Sequence, residues 1–286
     1  MYLLTLQRLI KKIMIQLQKY TWLIDTIRRA GKISLEEIAK RWERNKDLSD
    51  YKPLSRATFN RWKAAILDQF GIIISCQRAG GYLYYIENPE DIDEDELKKW
   101  MLDSFAVSNL ISENLSLKDR ILVNKIPSAH HHLAALLEAM KGNHIIIITY
   151  CGFYKTKSYT FPIEPYCVKL FENRWYVLAY NSHYNDIRIY GLDRIDNLTI
   201  TDETFKLPSN FSASDYFSNF YGIVVDNNLK AEHIIIRVYQ VHVPYINSLP
   251  LHSSQKLLEH NSEYTDYELF LVPTYDFIMR LLHVGA

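Results

Sequence analysis

Apolar positions recur every three or four residues through most of the first 140 positions and every second residue through the next stretch, and this change of period divides the chain. Over residues 1–18, Leu3, Leu6, Ile10, Ile13 and Leu17 share one side of a helix and Arg8, Lys11 and Lys12 lie toward the other, which predicts a separate amphipathic N-terminal helix. Such a helix packs on its own protein or on a twin subunit; a membrane surface is the competing partner. Residues 19–88 read as one domain. A helix from Lys19 to Ala30, with Trp22, Leu23 and Ile27 inward, stops at Gly31. Ser34-Leu35-Glu36-Glu37 has the form of a capping box and opens a second helix to Asn45. Ser55 caps a third, whose inner side is Phe59, Trp62, Ile66 and Phe70. Two short strands follow, joined at Ala79-Gly80-Gly81. Three helices and a hairpin in this order predict a winged helix-turn-helix. Lys19 is therefore an alternative natural start.

Residues 89–141 predict a helical connector, broken near Asn114–Ser116 and at Pro127. Residues 142–207 switch to period two, and five short strands with tight turns suit a small SH3- or Sm-like β-barrel. Residues 208–286 read β-α-β-β-α, a ferredoxin-like α+β extension lacking its last strand, so that either the chain is shortened or the sheet has an open edge. The expected fold class is thus multi-domain α+β.

Net charge is zero, but it is segregated: residues 1–86 hold sixteen Lys and Arg against seven Asp and Glu, and residues 87–140 hold five against eleven. A basic module before an acidic connector is the pattern of a domain that faces DNA. Three cysteines without CxxC spacing fit a reducing compartment, and no apolar run approaches the roughly 18 residues of a membrane span, so the expected location is cytoplasmic. His130-His131-His132 cannot close on one ion, because adjacent helical residues point in different directions, and neither a metal nor another cofactor is expected. No nucleophile with a partner base and no Gly-rich phosphate loop stands out, which argues against an enzyme.

With Phe59 and Trp62 inward, Arg56, Asn60 and Lys63 project from the third helix with Thr58 and Arg61 flanking, and Arg78 lies near the wing tip. Arg and Asn suit base edges through paired hydrogen bonds, while Lys63 and Arg61 suit phosphates. In the β region, RWYVLAY and DIRIY flank the polar turn NSHYND. If Trp175, Val177, Ile187 and Ile189 form the core face, then Tyr176, Tyr180, Arg188 and Tyr190 share the exposed one, a stacking surface beside a guanidinium.

These residues resemble the WYL-domain transcription regulators of bacteria. The marks are Trp175-Tyr176-Val177, with valine in place of the usual leucine just before Leu178; Tyr150 at the end of IIIITY; FPIEPY from Phe161 to Tyr166; and IRIYGLDRI from Ile187 to Ile195. The resemblance extends over the winged domain, connector, barrel and extension. It implies a homodimeric, ligand-responsive transcription factor whose barrel groove takes nucleic-acid fragments or nucleotide-like ligands. On matching positions the groove falls to Tyr150, Tyr166, Tyr176, Arg188 and Arg194, with Arg174 and His183 as additions. The competing readings make Tyr150 and Tyr166 core residues and Arg194 a partner of Asp193 or Asp196. The expected partners are a duplex operator, a single-stranded oligonucleotide or nucleotide-like ligand and a second copy of the chain, with no membrane. The alternative function is a single-strand-binding or interaction protein whose winged helix docks protein.

Overall fold

One helix, α1 (Tyr2–Ala30), runs without a break through the boundary expected at Lys19, so the first eighteen residues do not form a separate element. The computed structural model describes residues 2–122 and 130–284, in two units, Met1–Val123 and Asn124–Ala286. The expected break at Pro127 and the chain end at Ala286 lie outside the described residues, as do the side chains of Leu3, Leu6, Ile10, Ile13 and His130.

In the first unit, β1 (Ile33–Ser34), α2 (Leu35–Arg44), α3 (Lys46–Ser49), α4 (Arg56–Phe70), β2 (Ile74–Gln77) and β3 (Leu83–Ile86) follow α1, and the strands pair antiparallel in the order β1-β3-β2. The first unit is thus a helical region carrying a small antiparallel sheet. Ser34 caps α2 by accepting from the Glu37 amide, but the Glu37 carboxylate accepts from Arg41 Nε at 3.2 Å, so only half of the expected capping box forms. Leu23, Ile27, Ile38, Phe59 and Ile66 are fully buried. Trp42 packs edge-on against Trp22 and Trp62, at 5.1 and 5.0 Å between ring centroids, and its indole N–H donates to Lys52 O. The acidic stretch forms α5 (Glu90–Glu94) and α6 (Glu96–Glu113), which fold back on α1. Arg28 pairs there with Asp93 and Asp103, and Asn109 donates to Gln18 O and Thr21 Oγ1. The first helices of the expected connector thus belong to the first unit.

Its last helix, α7 (His130–Gly142), belongs to the second unit, where Leu136 and Ala139 enter the core of a five-stranded sheet. The strands β4 (His144–Tyr150), β5 (Tyr159–Phe171), β6 (Arg174–Asn181), β7 (Asp186–Gly191) and β8 (Ile195–Thr204) are antiparallel in the order β7-β6-β5-β4-β8. A 3-10 turn, Leu192–Arg194, joins the two end strands, but no ladder pairs them among the described residues. The sheet is thus open where a closed barrel was expected, and β7 keeps a free edge. Beyond the short α8 (Ala213–Phe217) come β9 (Glu232–Tyr239), α9 (Val243–Ser248), β10 (Lys256–His260), β11 (Tyr264–Leu271) and α10 (Tyr275–Val284). These strands form a small antiparallel sheet in the order β10-β11-β9, and the second edge of β9 has no partner strand among the described residues. No helix among the described residues is long and apolar enough to cross a membrane.

Candidate functional site

The hairpin β6–β7 sets the site, and its register differs from the expected one. Its turn spans four residues, so Asn181 pairs with Asp186, Ala179 with Arg188 and Val177 with Tyr190. Residues directly opposite in an antiparallel pair share a face. Arg188 and Tyr190 therefore stand on the side of Val177 and Ala179, and Tyr176 stands on the other side with Leu178, Ile189, Tyr180 and Ile187. The four expected companions do not share one face. Tyr190 can turn inward because its hydroxyl accepts from the buried Asn181 Nδ2 at 2.8 Å, and the Asn181 Oδ1 accepts the turn amides of His183 and Tyr184.

A groove of about 740 Å³ nevertheless gathers residues from both faces, because it lies along the free edge of β7. Its lining includes Tyr150, Tyr176, Arg188, Tyr190 and Arg194 on the sheet side and Tyr216 with the segment 223–228 on the other. That volume falls within the roughly 300–1,000 Å³ of ligand clefts. Arg188, exposed on the edge strand, lies 3.6 Å over the ring of Tyr184, with Asp186 3.9 Å from its Nε. The Arg194 guanidinium sits 4.3 Å from the Phe153 ring centroid and 5.8 Å from those of Tyr150 and Tyr176, a cage of aromatic faces. It also folds over Gly191: a Cβ there would come within 2.7 Å of Arg194 Nε and Cζ. Close approach accounts for glycine in the sequence IYGLDR.

Asp193 anchors this arrangement. Only 6% exposed, its carboxylate accepts from Arg174 NH1 at 2.6 Å and lies 3.5 Å from Arg194 Nε. Arg174 is thereby committed to Asp193 and does not line the groove, whereas Arg194 pairs with Asp193 and lines the groove as well. Burial raises the phenol pKa values of Tyr150, Tyr176 and Tyr190, outweighing the nearby guanidiniums that lower them. All three are neutral near pH 7, with hydroxyl groups suited to anionic or carbonyl oxygens. Tyr166 stands elsewhere. It falls at the bulge between Pro165 and Cys167 and packs on Phe205 and Phe211, 5.8 and 5.2 Å between centroids. His183 sits in the β6–β7 turn against Tyr184, outside the groove lining. Sequence reasoning missed Phe153, Tyr184 and Tyr216, which lie in loops or a short helix where no periodicity marks a direction.

In the first unit, Arg56, Asn60 and Arg61 are exposed on α4 and Lys63 is half-buried. Thr58 serves the helix cap: its amide donates to Ser55 Oγ at 3.1 Å and its hydroxyl accepts from the same atom. Arg78 is exposed at the wing, where Gly80 and Gly81 take φ values of +89° and +114°. Tyr82, also left-handed and exposed, was not foreseen; it lines a cleft with Ser34 and Arg56, at the start of α4. No cluster of three metal-ligating side chains occurs among the described residues.

Comparison with known proteins places a WYL domain at residues 131–200. Among solved structures, the chain is similar to the proteasome accessory factor B/C (PafBC) of Arthrobacter aurescens, at 15% identity and a TM-score of 0.34 over 79% of this chain. It spans 37% of the length of that protein. It is also similar to a CRISPR Cas-related protein, at 11% identity and a TM-score of 0.32, over 89% of this chain and 86% of the other. No curated protein matches the chain.

Proposed function

We propose that this WYL domain protein is a ligand-responsive transcription regulator. In this reading it binds duplex DNA through the winged helix-turn-helix and senses a nucleic-acid fragment or nucleotide-like ligand in the groove beside β7. The observation that carries the reading is the meeting of Arg188 and Arg194 with Tyr150, Tyr176 and Tyr190 around one open groove. Guanidiniums take phosphate oxygens through paired hydrogen bonds, and aromatic rings take bases by stacking, about 1–3 kcal/mol per base. On the DNA side, Arg56 and Asn60 read base edges in the major groove, Arg61 and Lys63 hold phosphates, and Arg78 with Tyr82 reaches the flanking backbone.

A second copy of the chain supplies the second half-site reader, and the free edge of β9 is a surface that a twin can cover. Ligand acts by population shift: it favours one arrangement of the dimer, and only an arrangement whose reading helices match the half-site spacing, about 34 Å per helical turn of DNA, binds the operator tightly.

The test is fluorescence-anisotropy titration with the duplex upstream of the protein's own gene, over a salt series, with and without a short single-stranded oligonucleotide. Salt-sensitive binding that exceeds binding to a scrambled duplex and shifts when the oligonucleotide is added supports the regulator. Equal, weak binding to every duplex alongside tight binding of the single strand overturns it in favour of a single-strand-binding protein whose winged helix docks protein.

A further inference from the structure

The wall of the groove opposite the sheet comes from outside the strands that carry the family marks. It is the segment from Gly222 to Asn228, which has no helix or strand of its own. Such a segment needs outside partners to hold one position. Asp276, in the first turn of α10, accepts the amides of both Ile223 and Val224 on its Oδ2, each at 2.8 Å. Lys169 of β5 donates to Gly222 O at 2.8 Å while its Nζ lies 4.0 Å over the ring of Phe217. Gly222 is the residue that admits this clamp, since a Cβ there would lie 2.8 Å from the Asp276 Cβ and closer still to its carboxylate. A short, two-bond side chain cannot swing clear as a long one can. Beyond the clamp, the segment turns polar: Asp226, Asn227 and Asn228 line the same groove as Arg188 and Arg194, and the Asn228 amide and Nδ2 both donate to Asp226 Oδ1.

We propose that Gly222–Asn228 is the discriminating wall of the groove and that Asp276 is the positioning residue that fixes it. The sheet side offers cations for phosphate, and this wall offers the Asn227 amide and the second oxygen of Asp226, a donor and acceptors of the kind that read a base edge. Because Asp276 belongs to α10, whose Phe277 and Leu281 pack on the C-terminal sheet, it ties the wall to that sheet. The inference rests on the groove being a nucleic-acid ligand site.

Amide hydrogen exchange and binding of a fluorescein-labelled short oligothymidylate test it together on the full chain. In the wild type the Ile223 and Val224 amides are protected. Asp276→Ala speeds their exchange and weakens oligothymidylate about tenfold or more, as expected for loss of two charge-assisted hydrogen bonds. Asp276→Asn keeps an acceptor, restores part of both, and serves as the folded variant should alanine unfold the extension. Arg188→Ala abolishes binding yet leaves the amides protected. Unchanged protection in Asp276→Ala overturns the proposal, as does wild-type affinity in that variant while Arg188→Ala fails to bind. If the wild type itself binds no oligothymidylate, the ligand reading of the groove falls and takes the discriminating wall with it, and the exchange data alone then decide whether Asp276 holds the segment.

Discussion

The guanidinium of Arg188 lies 3.6 Å over the ring of Tyr184, in the turn that leads into the strand carrying the arginine. The contact holds a charged group flat on an exposed edge, where it can add a second planar partner on its open side. Arg188→Ala is expected to abolish the effect of an oligonucleotide on duplex binding while changing stability by no more than about 0.5 kcal/mol, since the side chain is exposed. Tyr184→Leu should weaken the oligonucleotide less. Anisotropy titration paired with thermal melting checks both.

Under the proposed function, α4 gives base reading and phosphate holding to different side chains. Arg56→Ala and Asn60→Ala should each cost about 1–3 kcal/mol on the operator and less on scrambled duplex. Lys63→Ala should weaken all duplexes alike and lower the slope of log K against log salt by about one. Ser55→Ala, which removes the acceptor of the Thr58 amide, should show first as a loss of thermal stability of about 1 kcal/mol.

Gly191→Ala isolates the caged arginine. The added Cβ meets the far end of the Arg194 side chain, which can rotate away. Stability should fall little, but the guanidinium leaves its cage of Phe153, Tyr150 and Tyr176, and oligonucleotide affinity should fall about tenfold. A melting shift without an affinity change would show that Arg194 serves only Asp193.

His132 gives a pH dependence. Its Nε2 lies 2.9 Å from Ile195 O, tying α7 to β8, and burial holds its pKa below the usual 6.5. A histidine with a depressed folded pKa binds fewer protons folded than unfolded, so its stabilisation is complete above about pH 6.5 and is lost as pH falls through the folded value. Melting temperature should therefore decline from about pH 7 to pH 5, and His132→Gln should flatten that decline.

The helices of the first unit were legible because each buries one stripe and their ends carry Ser34, Ser55, Gly31 and Gly71, residues whose capping chemistry is local. The hairpin faces were not. Ile187, Ile189 and Tyr190 are all at least half-buried, so alternation alone gives no inner side, and the parity is set by a four-residue turn held by Asn181. Tyr166 was misplaced for a related reason: one extra residue at the Pro165–Cys167 bulge re-aims a side chain without leaving a trace in periodicity. The wall around Gly222 was invisible because both partners that hold it, Lys169 and Asp276, are more than fifty positions away in sequence.

Since β7 is an end strand, the residues it turns toward the groove, Asp186 and Arg188 above all, are not wedged between neighbouring strands. Exchanging them disturbs no second ladder, and the backbone that presents them is held from one side by β6. Under the proposed function, recognition and folding are separable here. A new ligand preference can be written into this strand, by selection or by design, without rebuilding the sheet on which it stands.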